Sequence, residues 1–238
     1  MTAIHLIRLC CLLLSLGIMT SCASVPRSEL VPAANSSDCV VLLHGLNRSW
    51  RAMSTMAETL QDAGFTTANV DYPSQAGPIE EIAPLSVGTG LAECRSTGAT
   101  RIHFVTHSIG GILLRYQHQH EPIAELGRVV MLGPPNQGSE VADYVHSLRL
   151  LRPVTPEAVE QLGTGEQSVV RKLGPVEFEL GVIAGTSGIL GFLPGFPDAG
   201  SDGTVTVGET VVIGMQDFLE LPVSHTSMIW DQDAIGQV

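Results

Sequence analysis

The sequence predicts an α/β protein with a mostly parallel central sheet and helices on both of its faces, and three observations predict it. Short apolar runs rich in β-branched residues recur at Cys39–Leu43, Ile102–Val105, Val129–Gly133 and Leu180–Ala184, the composition of strands covered on both faces. The stretches between them carry helical spacing, and strands alternating with helices build parallel sheets. One run passes directly into Thr106-His107-Ser108-Ile109-Gly110-Gly111, a strand–turn–helix junction.

In chain order, Cys39–Leu43 ends in His44-Gly45-Leu46-Asn47, where the glycine permits a tight turn. Met53, Met56, Ala57 and Leu60 then recur at helical spacing, closed by Gly64. Phe65 to Val70 reads as a strand, broken by Asp71-Tyr72-Pro73-Ser74, and a helix from about Ile79 to Cys94 returns the chain to the junction strand. Pro134-Pro135 ends the run at Val129–Gly133. Between Gly138 and Leu173 two helices are predicted, broken at Arg152-Pro153 and resumed at Thr155-Pro156-Glu157. This is the natural place for a cap, and its shortness predicts a small or absent lid.

The junction reads as a nucleophile elbow, which lifts the Ser108 hydroxyl above the sheet. Thr106 stands where such elbows usually carry glycine. Acyl transfer needs preorganised donors for an oxyanion, one from the residue after the nucleophile and one from the loop after an earlier strand. Those donors are the backbone N–H groups of Ile109 and Leu46. The acid and base follow in chain order. Ser201-Asp202-Gly203 offers a carboxylate after the run Leu180–Ala184, and His225 stands just beyond what reads as the last strand. A serine hydroxyl needs a base to take its proton, and the base needs a carboxylate to hold its tautomer. Ser108, His225 and Asp202 fit these roles. His44 and His107 flank the oxyanion loop and the elbow as hydrogen-bonding supports, and His103 alternates within a strand. Asp198, Glu209, Glu140 and Asp143 are alternative acids.

The segments VVLLHGLNRS, IHFVTHSIGG, VVMLGPPNQGSE, SDGTVTV and LPVSHTSM resemble, in that order, the bacterial lipase and esterase branch of the α/β-hydrolase fold. The resemblance covers most of the chain beyond residue 38. It implies a serine hydrolase acting on esters or lipids with the triad Ser108, Asp202 and His225, and neither metal nor organic cofactor. Two other readings stand beside it: an acyltransferase with the same triad, and a non-catalytic envelope lipoprotein on the same fold. The segment from Gly185 to Gly203, where apolar residues interleave with Gly and Pro, either lines an acyl-binding mouth or packs against the cap.

Residues 1–21 read as a signal peptide: Leu9 to Met19 is an apolar run too short to span a bilayer, preceded by Arg8. Met19-Thr20-Ser21-Cys22 resembles a lipobox, with Cys22 as the residue lipidated after cleavage and then the point of membrane attachment. The alternative is a secretory signal cut after Ala23, with either route leading to export or the cell envelope. Residues 22–38 are polar and read as a tether, so that the folded domain spans 39–238. Cys39 and Cys94 flank neighbouring strands in the order the resemblance implies, and export predicts either a disulfide or two buried thiols. With 24 acidic against 12 basic residues and a net charge of −12, the chain lacks the clustered cations of a nucleic-acid partner.

Overall fold

The computed structural model describes residues 25–34, 36–148, 155–188 and 200–238. The residues read as a signal peptide, Cys22 and Asp198 lie outside the described residues, as do Arg152-Pro153 and most of the Gly- and Pro-rich segment.

Seven strands form one sheet in the order β1-β3-β2-β4-β5-β6-β7. They are β1 (Arg27–Val31), β2 (Asp38–Leu43), β3 (Thr66–Asp71), β4 (Arg101–His107), β5 (Leu126–Leu132), β6 (Leu180–Gly185) and β7 (Asp217–Leu221). All neighbours from β3 through β7 pair in parallel, and β1 alone is antiparallel, against β3. The fold is thus the expected α/β one, with one addition. Arg27–Val31 lies inside the stretch read as a tether, yet it is a strand whose Arg27 is opposite Asp71 and whose Val31 is opposite Thr67. The folded domain therefore begins before residue 39.

Alternation along β2 shows why the sheet is covered twice. Cys39, Val41 and Leu43 pack into one apolar cluster and Val40 and Leu42 into the other, the period-two consequence of the pleat. The first cluster is closed by α2 (Ile79–Ser96) and α3 (Ile109–His120). The second is closed by α1 (Ser54–Asp62), which presents Met56, Ala57 and Leu60, and by the C-terminal α8 (Gln232–Gly236). Helix α1 ends at Gly64, whose φ of +91° carries the left-handed turn that only glycine adopts without strain. Helix α2 lies close on the sheet at Gly90, where an added Cβ would meet the Val41 side chain at 2.3 Å. The same helix is tied covalently: Cys94 is bonded to Cys39, with Cα atoms 5.7 Å apart.

After β5, where the sequence predicts two helices, the described residues hold three short ones: α4 (Glu140–Ser147), α5 (Glu157–Glu160) and α6 (Val169–Lys172). Ser139 caps α4 by accepting from the Ala142 N–H, and Ser168 caps α6 by accepting from Arg171. A further short helix, α7 (Val207–Thr210), begins with a capping box between Thr206 and Glu209.

Candidate active site

Ser108 sits between β4 and α3 with φ 55° and ψ −125°, a conformation that a residue with a Cβ adopts only when its surroundings impose it. Those surroundings are tight by composition. A Cβ at Gly110 would lie 2.8 Å from the Leu43 carbonyl oxygen, and one at Gly111 would lie 2.9 Å from Met131 Sδ and 3.2 Å from Thr106 Oγ1. Gly111 therefore clears the space that Thr106, fully buried, occupies in place of the usual glycine. The Thr106 hydroxyl is left without a hydrogen-bond partner among the described residues.

The loop after β2, predicted to supply an oxyanion donor, abuts the turn at Ser108 through Gly45, where a Cβ would come within 2.6 Å of His107 Nδ1 and 3.2 Å of Ser108 Cβ. His44 braces this loop from below. Its Nδ1 donates to the Gly45 carbonyl at 2.8 Å, its Nε2 accepts from the Tyr72 N–H, and its ring stacks on Tyr72 at 4.1 Å. The Tyr72 hydroxyl donates to the His44 carbonyl. Ile109 is the first residue of α3, so its N–H has no acceptor within the helix and lies at the positive end of the helix dipole. Leu46 lies in the wall of the same cleft as Ser108.

Asp202 and His225 are brought together by the loops after β6 and β7. His225 Nδ1 donates to Asp202 Oδ2 at 2.6 Å, and the Asp202 side chain is fully buried. The other carboxylate oxygen accepts from the N–H groups of Thr204 at 2.9 Å and Val205 at 2.8 Å, while the His225 N–H donates to the Asp202 carbonyl at 2.9 Å. The carboxylate is fixed on both oxygens. Two glycines make room for the pair: a Cβ at Gly133 (φ +53°) would lie 2.9 Å from Asp202 Oδ2 and 3.1 Å from His225 Nδ1, and one at Gly185 would lie 2.8 Å from Asp202 Cβ. Sequence reasoning missed both, because a glycine at the end of a buried strand carries no mark of what it faces.

His107 is buried beside them. Its Nε2 donates to the His225 carbonyl at 2.8 Å and the two rings lie 4.7 Å apart. Burial above all, and then repulsion from His225, hold His107 well below its ordinary pKa of 6.5. Among the described residues, two of the other candidate acids, Glu209 and Asp143, are engaged elsewhere. Glu209 accepts from the N–H groups of Thr206 and Glu140 as a helix cap, and burial raises its pKa. Asp143 accepts from the N–H and hydroxyl of Thr164, and Glu140 opens α4.

Ser108 and His225 share a cleft of about 300 Å³. Its apolar wall includes Val141 and Val145 of α4, Val159 of α5, and Leu162, so the short cap lies beside the serine and supplies the surface an apolar chain would meet. Among the described residues no group of three or more His, Cys, Asp or Glu could hold a metal ion, and no helix is long and apolar enough to cross a membrane. His118 and His120, in the last turn of α3, hydrogen-bond to the backbone at Ile123 and Tyr116.

The sequence profile of the Alpha/beta hydrolase family matches residues 40–234. Among solved structures, the mature form of lipase BlEst2 from Bacillus licheniformis superposes with a TM-score of 0.65 at 22% identity, covering 86% of this chain and 92% of that one. Phospholipase PlaB from Legionella pneumophila gives 0.66 at 16% identity over 85% of this chain and 59% of that one. A metagenome-derived lipolytic enzyme gives 0.63 at 16% identity over 89% and 92%.

Proposed function

Because the chain belongs to the Alpha/beta hydrolase family, we propose that it is an exported serine hydrolase of carboxylic esters, an esterase or lipase, that works through an acyl-enzyme. The observation that carries this reading is the 2.6 Å contact of His225 Nδ1 with the buried Asp202 carboxylate in the cleft that also holds Ser108. With Nδ1 committed to Asp202, the other ring nitrogen of His225 is the base. It takes the Ser108 proton as Oγ attacks the ester carbonyl, and the Leu46 and Ile109 N–H groups receive the charge that develops on the carbonyl oxygen. His225 then gives the proton to the leaving alcohol. Water, activated by the same imidazole, releases the acid.

The names of the similar structures, lipase, phospholipase and lipolytic enzyme, support ester chemistry, and the apolar cleft wall supports an acyl chain as the part bound. A lipoprotein anchor at Cys22 completes the proposal and puts the enzyme at the cell envelope; the Cys39–Cys94 bond is in keeping with an oxidising compartment. The test is labelling by a serine-directed phosphonate. The adduct is expected on Ser108 alone and is expected to vanish in His225→Ala. A folded protein that hydrolyses short esters equally well as Ser108→Ala would sink the assignment.

A further inference from the structure

The chain carries twice as many acidic as basic residues, 24 against 12, so where its free cations stand is informative. Arg95 is paired with Glu125 and Arg128 with Glu179. Arg115 is buried and donates to backbone carbonyls. Arg48 and Arg51 are exposed, and among the described residues neither has an ion pair. The nearby carboxylates have other partners: Asp71 Oδ1 accepts from the Trp50 N–H and lies 3.8 Å from His44 Nε2, and Asp231 Oδ1 accepts from the N–H groups of Asp233 and Ala234.

Arg48 stands at the rim of the cleft, and Arg51 lines a depression that adjoins it through Arg48. Arg48 lines the cleft with Ser108 and His225, and its Nη2 donates to Thr226 Oγ1 at 3.3 Å, one residue beyond His225. Its charge reaches the buried His107 imidazole, whose pKa it helps to lower after burial and the neighbouring His225. Arg48 also lines an adjoining depression of about 520 Å³ together with Arg51 and Trp230. Arg51 is held over the Trp50 ring at 4.9 Å, which restrains its fork, and Trp230 is half exposed.

A substrate that fits this surface has an apolar chain for the wall formed by Val141, Val145 and Leu162, an ester at Ser108, and an anion a few bonds further on for two unpaired guanidiniums. Planar guanidinium forks match phosphate oxygens, and an exposed tryptophan suits the amphipathic ground between acyl chain and head group. Building on the ester-hydrolase reading above, we propose that Arg48 and Arg51, with Trp230, form a subsite for the phosphate of a glycerophospholipid, so that this site is a phospholipid acyl hydrolase. The carboxylic ester is cleaved by water, the acyl group leaving as a fatty acid and the lysophospholipid taking its hydroxyl proton from His225.

The test compares two monomeric substrates of equal acyl length on the full chain, dihexanoyl phosphatidylglycerol and dihexanoylglycerol. The phosphate-bearing ester is expected to have the higher kcat/KM by about tenfold or more, chiefly through KM. That ratio should shrink as salt rises from about 50 to about 500 mM. In Arg48→Gln/Arg51→Gln it should fall to near one, and in Arg48→Lys/Arg51→Lys most of it should return. In parallel, tryptophan fluorescence of the Ser108→Ala protein follows binding of dihexanoyl phosphatidylglycerol, which the Gln pair should weaken by a similar factor. Equal kcat/KM for the two substrates, or a preference that the Gln pair leaves intact, overturns the proposal. Binding with the expected arginine dependence but no turnover by the wild-type protein leaves the phosphate subsite standing and removes the ester-hydrolase reading beneath it.

Discussion

The His107 ring donates its Nε2 proton to the main-chain carbonyl of His225 at 2.8 Å, tying the turn that carries Ser108 to the loop that carries the base. A carbonyl only accepts, so the neutral His107 holds its proton on Nε2 and leaves Nδ1 bare. Nδ1 has no hydrogen-bond partner among the described residues and faces Gly45. The ring positions the His225 loop through that carbonyl.

His107→Phe, which keeps a planar ring and loses the donor, is therefore expected to lower kcat on a short ester by about 10- to 100-fold through misplacement of the base. His107→Gln, which carries an N–H at nearly the same reach, is expected to recover most of that loss. Steady-state kinetics of both variants, with circular dichroism to verify the fold, decide it. Equal losses in the two would mean that ring packing, not the hydrogen bond, is what matters.

The same histidine makes stability depend on pH. In the unfolded chain its imidazole titrates near 6.5, and in the folded protein its pKa lies well below that, with His44 lowered too. Between those values the unfolded state binds more protons, so this contribution is fully present above about pH 6.5 and is lost as pH falls towards the folded pKa. The urea midpoint is expected to drop between pH 7.5 and pH 5, with a shallower drop in His107→Gln. An unchanged slope in that variant would contradict the assignment.

Gly133 faces the Asp202–His225 contact with a φ of +53°, so Gly133→Ala is expected to cost about 1–2 kcal/mol from the backbone alone. It should cost more in activity than in stability, because the added methyl meets Asp202 Oδ2 and His225 Nδ1 first. A melting curve beside kcat separates the two. Wild-type kcat in the alanine variant would show that the pair tolerates displacement.

The Cys39–Cys94 bond closes a separation of 55 residues, for which chain entropy gives a stabilisation of about 4 kcal/mol. Denaturation with and without dithiothreitol, and of Cys39→Ala/Cys94→Ala, should show a loss of about 2–4 kcal/mol. Activity should persist at temperatures where the reduced protein remains folded, since both sulfurs lie in the core away from the cleft.

Arg115 is a buried cation that donates to the Asn136 carbonyl and Oδ1 and to the Gly174 carbonyl, and burial brings its pKa down to about 10. It remains charged at neutral pH. Arg115→Met should cost about 2–3 kcal/mol by stranding those acceptors, measured as a shift of the denaturant midpoint at constant slope.

The buried strands are legible in the sequence because a strand covered on both faces must be apolar at every position, as Cys39–Leu43 is. Strand β1 is not, because an edge strand with an exposed and half-buried pattern, Arg-Ser-Glu-Leu-Val, reads like a polar linker until its partner is known. Ser108, Asp202 and His225 can be found by their order along the chain. His107 could be read as a hydrogen-bonding support from its place in the elbow, but its partner, the His225 carbonyl, and the glycines that accommodate the Asp202–His225 pair depend on which loops meet in space, and nothing local in the sequence encodes that.

Strand β1 also sets a direction. It runs against β3, with Arg27 opposite Asp71, the last residue of that strand. The chain therefore enters the sheet at the carboxyl ends of the parallel strands, the end at which β4 delivers Ser108. Cys22 stands five positions before Arg27, a reach of at most roughly 17 Å when extended. If the lipid anchor proposed at Cys22 is present, its attachment point therefore lies within that reach of the end of the sheet that carries Ser108, a short leash on the catalytic side of the molecule.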